Sequence, residues 1–437
     1  MPEVSVNSCM TPASASPAPS STNRLRLFTI IFTVFLDLVG VGIANPIIAP
    51  LLLRPESNFL PASYSDDQRT LLLGVLIAVF SIAGFFSGPL LGALSDRHGR
   101  KKVLLASLVL TLIGYLVFAL GIYLKSVPLL FVSRTIYGIG GGNLSVIQSA
   151  IADISDDRSR TKNFGLIGVA FGIGFIIGPA LGGELSNPDT VSWFNFTTPF
   201  LAAAGLSLLN IGLVVFTFRE TLKTPINRPV TILTGVRNLS AAFGDPRLRV
   251  LFLGVFFYAL GFNFYTQFFQ VILIKVFDFD QTHIGRYFAY VGLWVALMQG
   301  TVVRRVANKY APAQILRYSV FGLGITLWLF LLPRESWQLY LVVPFMALFQ
   351  GLTSPNTTAL VSQSGSAQEQ GRTLGINQSV LSAAFALPPV IAAYMDTINV
   401  YLPIVVAGAM VLIGWGFYMK FFRETPVVIP ANSPVAE

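Results

Sequence analysis

The sequence predicts an all-α polytopic membrane protein with 12 transmembrane helices in two pseudo-symmetric six-helix bundles. Three observations carry that expectation. Of 437 residues, 54% are hydrophobic and only 11% charged, where soluble domains carry about one-quarter charged residues. The apolar residues gather into segments of about 20 residues or more, each able to cross roughly 30 Å of hydrocarbon at about 1.5 Å per residue. An internal repeat at an offset of 210 brings Gly141 onto Gly351, Gly165 onto Gly375 and Pro179 onto Pro389, which reads as two related halves.

Residues 1–23 are rich in Ser, Pro and Ala and hold neither an apolar core nor a Lys or Arg among 1–20, so they read as a disordered tail and not as a targeting peptide. Spans are placed near 27–53, 71–94, 102–122, 128–152, 164–184, 197–218, 248–275, 284–303, 314–332, 338–361, 373–394 and 400–422. An even number returns both termini to one side. Of the loop cations, 22 fall on that side and 6 on the other, with Arg134 inside a span, so both termini are expected to be cytoplasmic. The expected units are a tail (1–23), an N-terminal bundle (24–218), a linker (219–247), a C-terminal bundle (248–423) and a second tail (424–437). The linker has Pro225 and Pro229, then Ile232, Val236, Leu239 and Phe243 on one helical stripe, as in a helix lying along the interface.

The formal charge of +9 is spread over short loops between apolar spans, so it reports orientation and not a nucleic-acid partner. Cys9 is the single cysteine, and His98 and His283 are the two histidines. Neither a disulfide framework nor a metal centre is expected from these, and no cofactor. No nucleotide-binding loop or nucleophile–base arrangement stands out. An enzyme or an ATP-driven pump is therefore disfavoured, and a linker of about 29 residues is too short to bury the core of a receptor domain.

The densest charge cluster is Gly92 to Lys102, reading Gly-Ala-Leu-Ser-Asp-Arg-His-Gly-Arg-Lys-Lys between the second and third spans. It must be a tight, water-facing turn, with Gly99 free to take φ > 0. Asp96 is placed to pair with Arg97 or Arg100, or to sit at the N-terminus of a facing helix. From charge alone, a purely topogenic loop and a structured gate stand equal. The spacing Gly-x-Leu-Ser-Asp-Arg-x-Gly-Arg-Lys resembles the signature of the major facilitator superfamily, and the resemblance implies that fold, with Gly92, Asp96, Arg97, Gly99 and Arg100 in a cytoplasmic gate motif.

Asp37 lies about ten residues into the first span, some 15 Å deep. A carboxylate there costs roughly 2.5 to 3.5 kcal/mol on insertion scales, so it should face a cavity or a partner or carry a proton. Arg134, roughly 9 Å in from the opposite end of the fourth span, is the natural partner. Two readings stand: a proton-coupling group, or a static charge that fixes helix packing. Arg134 opens Arg-x-x-x-Gly-x-Gly-Gly-Gly, followed by Ala-Asp-Ile at 152–154. This region, through Gly183, is similar to the tetracycline/proton antiporters of the twelve-helix drug-efflux branch. The resemblance implies that Arg134 is tied to proton movement and that Asp153 joins a charge network with the gate motif. Independently, Asp153 ends its span within reach of Arg100, as a latch or as an inert surface pair worth under about 1 kcal/mol.

In the fifth span Gly174, Gly178 and Gly182 are four apart, beside Pro179 and Gly183. That stripe suits close backbone packing, and the proline allows a bend. The whole Gly-x-x-x-Gly-Pro-x-x-Gly-Gly resembles the antiporter signature, which implies exchange over symport. On the seventh span Asn263, Gln267 and Gln270 form a polar stripe beside Tyr258, Phe262, Tyr265 and Phe269. Gln350, Ser354 and Thr357 repeat the pattern on the tenth, with Gln299, Asn377 and Gln378 as further candidates. Aromatic faces beside amides suit a planar amphipathic ligand, and interhelical hydrogen bonding explains the same residues equally well.

Together these readings lead to a proton-coupled efflux transporter of a small organic compound, acting as a monomer in a bacterial inner membrane. The alternative is a proton-independent facilitator or symporter of a sugar or other metabolite.

Overall fold

The computed structural model describes residues 21–424 apart from 156–159, 223, 226–230, 232, 247, 308 and 365–369. Arg158, Lys223, Arg228, Ile232 and Arg247, and the tails 1–20 and 425–437, lie outside the described residues. Sixteen α-helices are found, and no strand, among the described residues. They are α1 (Ser21–Leu53), α2 (Asp66–His98), α3 (Arg100–Tyr123), α4 (Val127–Gly140), α5 (Leu144–Ile154), α6 (Arg160–Leu185), α7 (Thr198–Thr217), α8 (Thr234–Gly244), α9 (Arg249–Lys275), α10 (Gln281–Met298), α11 (Arg304–Ala307), α12 (Pro312–Leu329), α13 (Ser336–Gln363), α14 (Gln370–Ala386), α15 (Pro388–Ile398) and α16 (Leu402–Glu424).

Local chemistry explains the breaks. The glycines at 140–142 tighten one turn into a 3-10 helix, Gly141–Asn143, so α4 and α5 form a single interrupted rod. Pro388 and Pro389 lack the N–H groups that would continue α14, and α15 restarts there. A π-helical turn, Gln299–Val303, joins α10 to α11. With α8 set aside, twelve rods remain. Eight of them are long and apolar enough to cross a membrane by length and composition alone, and α4–α5, α10–α11, α12 and α13 complete the set. Ser21–Asn23, expected in the tail, belong to α1, and the eleventh span runs on to Ile398, past the expected end at 394.

The two halves meet tightly at the end remote from the termini and part toward the terminal end. Along α6 and α10 the separation can be followed residue by residue. A Cβ placed on Gly183 would lie 2.8 Å from the Gln281 carbonyl oxygen, one on Gly292 would lie 2.8 Å from Ile176, and one on Gly172 would only just touch Ala296 at 3.9 Å. On the same face, one and two turns nearer the termini, Gly168 and Gly165 have nothing within 4 Å. On the other flank, Gly74 of α2 presses against Pro389 and Ala393. A cleft therefore opens toward the terminal side.

Two ion pairs cross between the halves at the closed end. Arg54, just past α1, gives one Nη2 to both the carboxylate (2.6 Å) and the carbonyl (2.8 Å) of Asp278. Asp278 presents both oxygens because it sits in the left-handed region at φ 53, which Asp tolerates. Glu184 at the end of α6 accepts Arg286 Nη2 at 2.7 Å. Exposed pairs of this kind are worth about 1 kcal/mol or less each, so the double variant Arg54→Ala/Arg286→Ala should open the closed end by up to about thirtyfold. Tyr258→Cys in a Cys9→Ser background, labelled by an impermeant thiol reagent from that side, would report it. Labelling rates indistinguishable from the intact pairs would deny them a gating role.

The linker helix α8 bridges the halves on the terminal side. A Cβ on Gly235 would lie 3.1 Å from the Phe85 ring of α2, and Asn238 Nδ2 donates to Ser379 Oγ of α14 at 3.0 Å. Its buried face is Gly235 and Ala242; Leu239 and Phe243 are half-buried, and Val236 from the expected stripe is exposed.

Candidate functional site

Asp37 lies inside the N-terminal half, with both carboxylate oxygens engaged by amides. Asn143 Nδ2, in the turn between α4 and α5, donates to Oδ2 at 2.6 Å, and Asn210 Nδ2 of α7 donates to Oδ1 at 3.2 Å. The side chain faces protein and not lipid. The expected pairing with Arg134 is not formed. The Arg134 guanidinium packs instead on rings, 4.8 Å from the Phe118 centroid, 5.9 Å from Phe80 and 6.0 Å from Tyr137. The reason is an intervening tyrosine pair: Tyr115 donates to the Tyr137 hydroxyl at 3.0 Å and lies against Gly40, about one turn along α1 from Asp37. The desolvated cation–π contact with Phe118, worth about 2 kcal/mol, helps hold the arginine, and its Nη2 is buried without an acceptor among the described residues.

The C-terminal half holds a cavity of about 170 Å³ whose lining includes Tyr258, Phe262 and Asn263 of α9 and Gln350, Ser354 and Thr357 of α13. Tyr258 donates to Gln350 Oε1 at 3.1 Å, and Asn263 Nδ2 is held by the Ala259 carbonyl at 2.8 Å. Six predicted residues, Tyr258, Phe262, Asn263, Gln350, Ser354 and Thr357, thus meet in one place. The others do not. Tyr265 is fully buried among Phe269, Phe330 and Tyr287, because side chains of neighbouring elements lie over it. Gln267 donates to the Phe385 carbonyl at 2.8 Å, and Gln270 leans back on the Gln267 carbonyl at 3.5 Å. Gln299 and Gln378 are exposed, Asn377 is buried, and none of these lines the cavity. Drug-sized sites run from about 300 to 1,000 Å³, so a ligand of that size would also occupy the cleft between the halves.

The charged turn between α2 and α3 is built as an anchored corner. Arg100 is buried and reaches Asp96 at 2.5 Å, Asp153 at 3.1 Å and Ser95 Oγ at 2.6 Å. Of the two partners open to Asp96 it is therefore Arg100 that pairs, while Arg97 is exposed. Gly99 takes φ 99, and Gly92 approaches Ser145 of α5 closely enough that a Cβ would stand 3.3 Å from its hydroxyl. A residue the sequence reading did not single out completes the corner. The Glu220 carboxylate accepts from the backbone N–H groups of Arg100 (2.9 Å) and Lys101 (3.1 Å), capping α3.

Burial pushes the Glu220 carboxyl up, but its backbone N–H bonds outweigh that, and the net displacement is below its ordinary 4.5. The sign follows: a depressed folded value stabilises the corner fully above the ordinary carboxylate range, and that contribution is lost as pH falls through the folded value. Glu220→Gln should therefore speed amide hydrogen exchange at Arg100 and Lys101 at neutral pH, and wild type should show the same speeding only on acidification. Equal exchange in both proteins at pH 7 would count against the cap.

The glycine stripe of α6 packs on α1. A Cβ on Gly174 would come within 2.7 Å of Leu38 and one on Gly178 within 2.7 Å of Gly42, and one on Gly182 would overlap the Ile43 carbonyl. Gly183 faces α10 in the other half instead, and Pro179 lies between the two, its ring against Gly42 of α1 and its carbonyl toward Gly285 of α10.

Sequence reasoning passed over Asn143, Asn210, Glu220, Asp396 and the inter-half ion pairs. Asn210 carried a signal, a carboxamide alone in an otherwise apolar span. Asp396 was placed beyond a span end, yet its side chain is fully buried in α15 against Lys275 Nζ at 2.5 Å.

Among the described residues, twelve helical rods in two halves, eight of them long and apolar enough to cross a membrane, form the architecture of an integral multi-pass membrane protein. The Major Facilitator Superfamily description matches residues 30–343, and the chain belongs to that family. It is 31% identical over 372 residues to the tetracycline resistance protein, class C, of Escherichia coli, covering 84% of this chain and 88% of that protein. Major facilitator superfamily domain-containing protein 10 of Mus musculus is 27% identical over 86% of this chain and 88% of its own length. The crystal structure of the human organic anion transporter MFSD10 superposes with a TM-score of 0.69 at 23% identity, over 91% of this chain and 99% of that one. These relatives are transporters, not enzymes, and proteins of this family carry small molecules.

Proposed function

We propose that this protein is a proton-coupled exporter of a small amphipathic organic compound, working by alternating access as a monomer with both termini in the cytoplasm of a bacterial inner membrane. In that orientation the cleft opens to the cytoplasm and the Arg54–Asp278 and Glu184–Arg286 pairs close the outer face. The observation that carries the reading is Asp37: a carboxylate within a membrane span, held by two neutral amides and with no cation in ion-pair contact among the described residues. A proton is the least costly neutraliser of such a group. Substrate would bind between Tyr258, Asn263 and Gln350, and proton exchange at Asp37 would bias the two halves toward one or the other opening. Arg134 holds a fixed positive charge behind the tyrosine pair and sets the field in which that exchange occurs. Inward protons supply about 2.3 kcal/mol per 100 mV from voltage alone. The similarity to tetracycline resistance proteins supports export, and the α6 glycine motif supports exchange over symport.

The test is an everted-vesicle assay with a pH-sensitive dye. Addition of a transported compound from a panel of planar amphipathic drugs should release protons from acidified vesicles. Folded protein that releases none with any member of the panel would remove antiport, and counterflow without a pH gradient would then favour the facilitator reading.

A further inference from the structure

We infer that the oxygen cluster around Asp37 is a monovalent-cation site that takes Na⁺ in place of a proton. The inference rests on Asp37 being the coupling group and adds a second ion that it carries. Asp37 lacks a countercharge: no ion pair reaches it among the described residues, and the nearby cation, Arg134, is packed against rings.

The surrounding groups hold more oxygen than a proton needs. Thr33 and Asn210 are fully buried, and Thr33 Oγ1 and Asn210 Oδ1 have no hydrogen-bond partner among the described residues. Buried polar atoms are rarely left so. Both belong to one face-to-face array. Thr29, Thr33 and Asp37 succeed one another at four-residue spacing along α1, which places them on one side of the helix. That side lies against α7, where the Thr29 and Thr217 hydroxyls meet at 2.9 Å and Asn210 Nδ2 lies 3.2 Å from both the Thr33 carbonyl and Asp37 Oδ1.

A carboxamide presents either its nitrogen or its oxygen when its plane is turned over. Facing a bare carboxylate, Asn210 and Asn143 turn their NH₂ groups toward it. With a cation between them the oxygens turn in, and the ion then has Asp37, the Thr33 carbonyl and hydroxyl, Asn210 and Asn143 as ligands. These are the hard oxygen donors that such ions take. One carboxylate among neutral oxygens carries a single negative charge, which matches a monovalent ion. Protonation of Asp37 would need one oxygen and would leave the Thr33 hydroxyl and Asn210 oxygen oxygens unmatched.

The experiment uses the full-length protein with Na⁺ itself as the probe. In detergent, NaCl is expected to raise the melting temperature saturably, while choline chloride at equal ionic strength does not and KCl does so only at higher concentration. In proteoliposomes a substrate gradient should drive ²²Na⁺ movement. Thr33→Val should weaken the apparent Na⁺ affinity at least tenfold, and Thr33→Ser should restore it, with substrate-driven proton movement in Na⁺-free buffer retained in both. No saturable Na⁺ response in wild type, or one equal in choline or unchanged by Thr33→Val, overturns the site and leaves the proton reading standing. A Na⁺ response without proton movement supports the site and overturns the proton reading.

Discussion

Replacing Asp37 by Asn is expected to abolish substrate-driven proton release while leaving ligand binding within about twofold of wild type. The substitution is nearly isosteric, and its new neighbours already suit it: the Asn143 and Asn210 amides that now donate to the carboxylate can satisfy a third amide by turning one plane over. Folding should survive. What is lost is the only atom pair at that depth of α1 able to bind and release H⁺. The cavity that would hold the ligand is in the other half, on α9 and α13, so binding and coupling are separable by this one change. Loss of coupling is all-or-none for the proton, and the residual rate should be about two orders of magnitude down, the equivalent of about 2.7 kcal/mol in the driven step. Counterflow down a substrate gradient should persist. Dye-detected proton release at the wild-type rate from Asp37→Asn vesicles would take Asp37 out of the mechanism altogether.

The architecture was legible because hydrocarbon enforces a coarse and regular grammar. Span length and the charge cluster at 92–102, with its single helix break at Gly99, each depend on local sequence. The partners within the site were not legible, because they come from helices far apart in the chain. Asn143 and Asn210 reach Asp37 across 106 and 173 residues, and Glu220 reaches Arg100 across 120. Depth arithmetic put Asp37 and Arg134 within range of each other but could not see Tyr115 and Tyr137 between them. Helical periodicity grouped Tyr258 and Tyr265 into one aromatic band, and the fold separates them: the first lines the cavity and the second is sealed among Phe269 and Phe330. Seven residues is two turns, so their azimuths differ little. What differs is whether a neighbouring helix lies over them, and periodicity carries no information on that.

Gly182→Ala and Gly183→Ala, adjacent changes of one methyl each, should fail in different ways. The first adds its methyl inside the N-terminal half, onto the Ile43 carbonyl of α1. Backbone in the middle of a helix cannot retreat as a side chain can, so over-packing there costs at least the usual 1 to 3 kcal/mol, about five- to 150-fold in the folded ratio. The second adds its methyl between the halves, against Gln281 and Thr282 of the α10 start. Each half remains free to fold, but the closed end can no longer close. Gly182→Ala is therefore expected to lower thermal stability and yield along with transport. Gly183→Ala should keep its thermal stability, lose most transport, and label faster from the outer face at a cavity cysteine. Gly165→Ala, with nothing within 4 Å of its added methyl, is the control and should match wild type in both respects. Wild-type stability in Gly182→Ala would show that α1 and α6 do not pack backbone to backbone. A Gly183→Ala protein that transports normally would mean that the contact of α6 with α10 is not one the transport cycle must re-form.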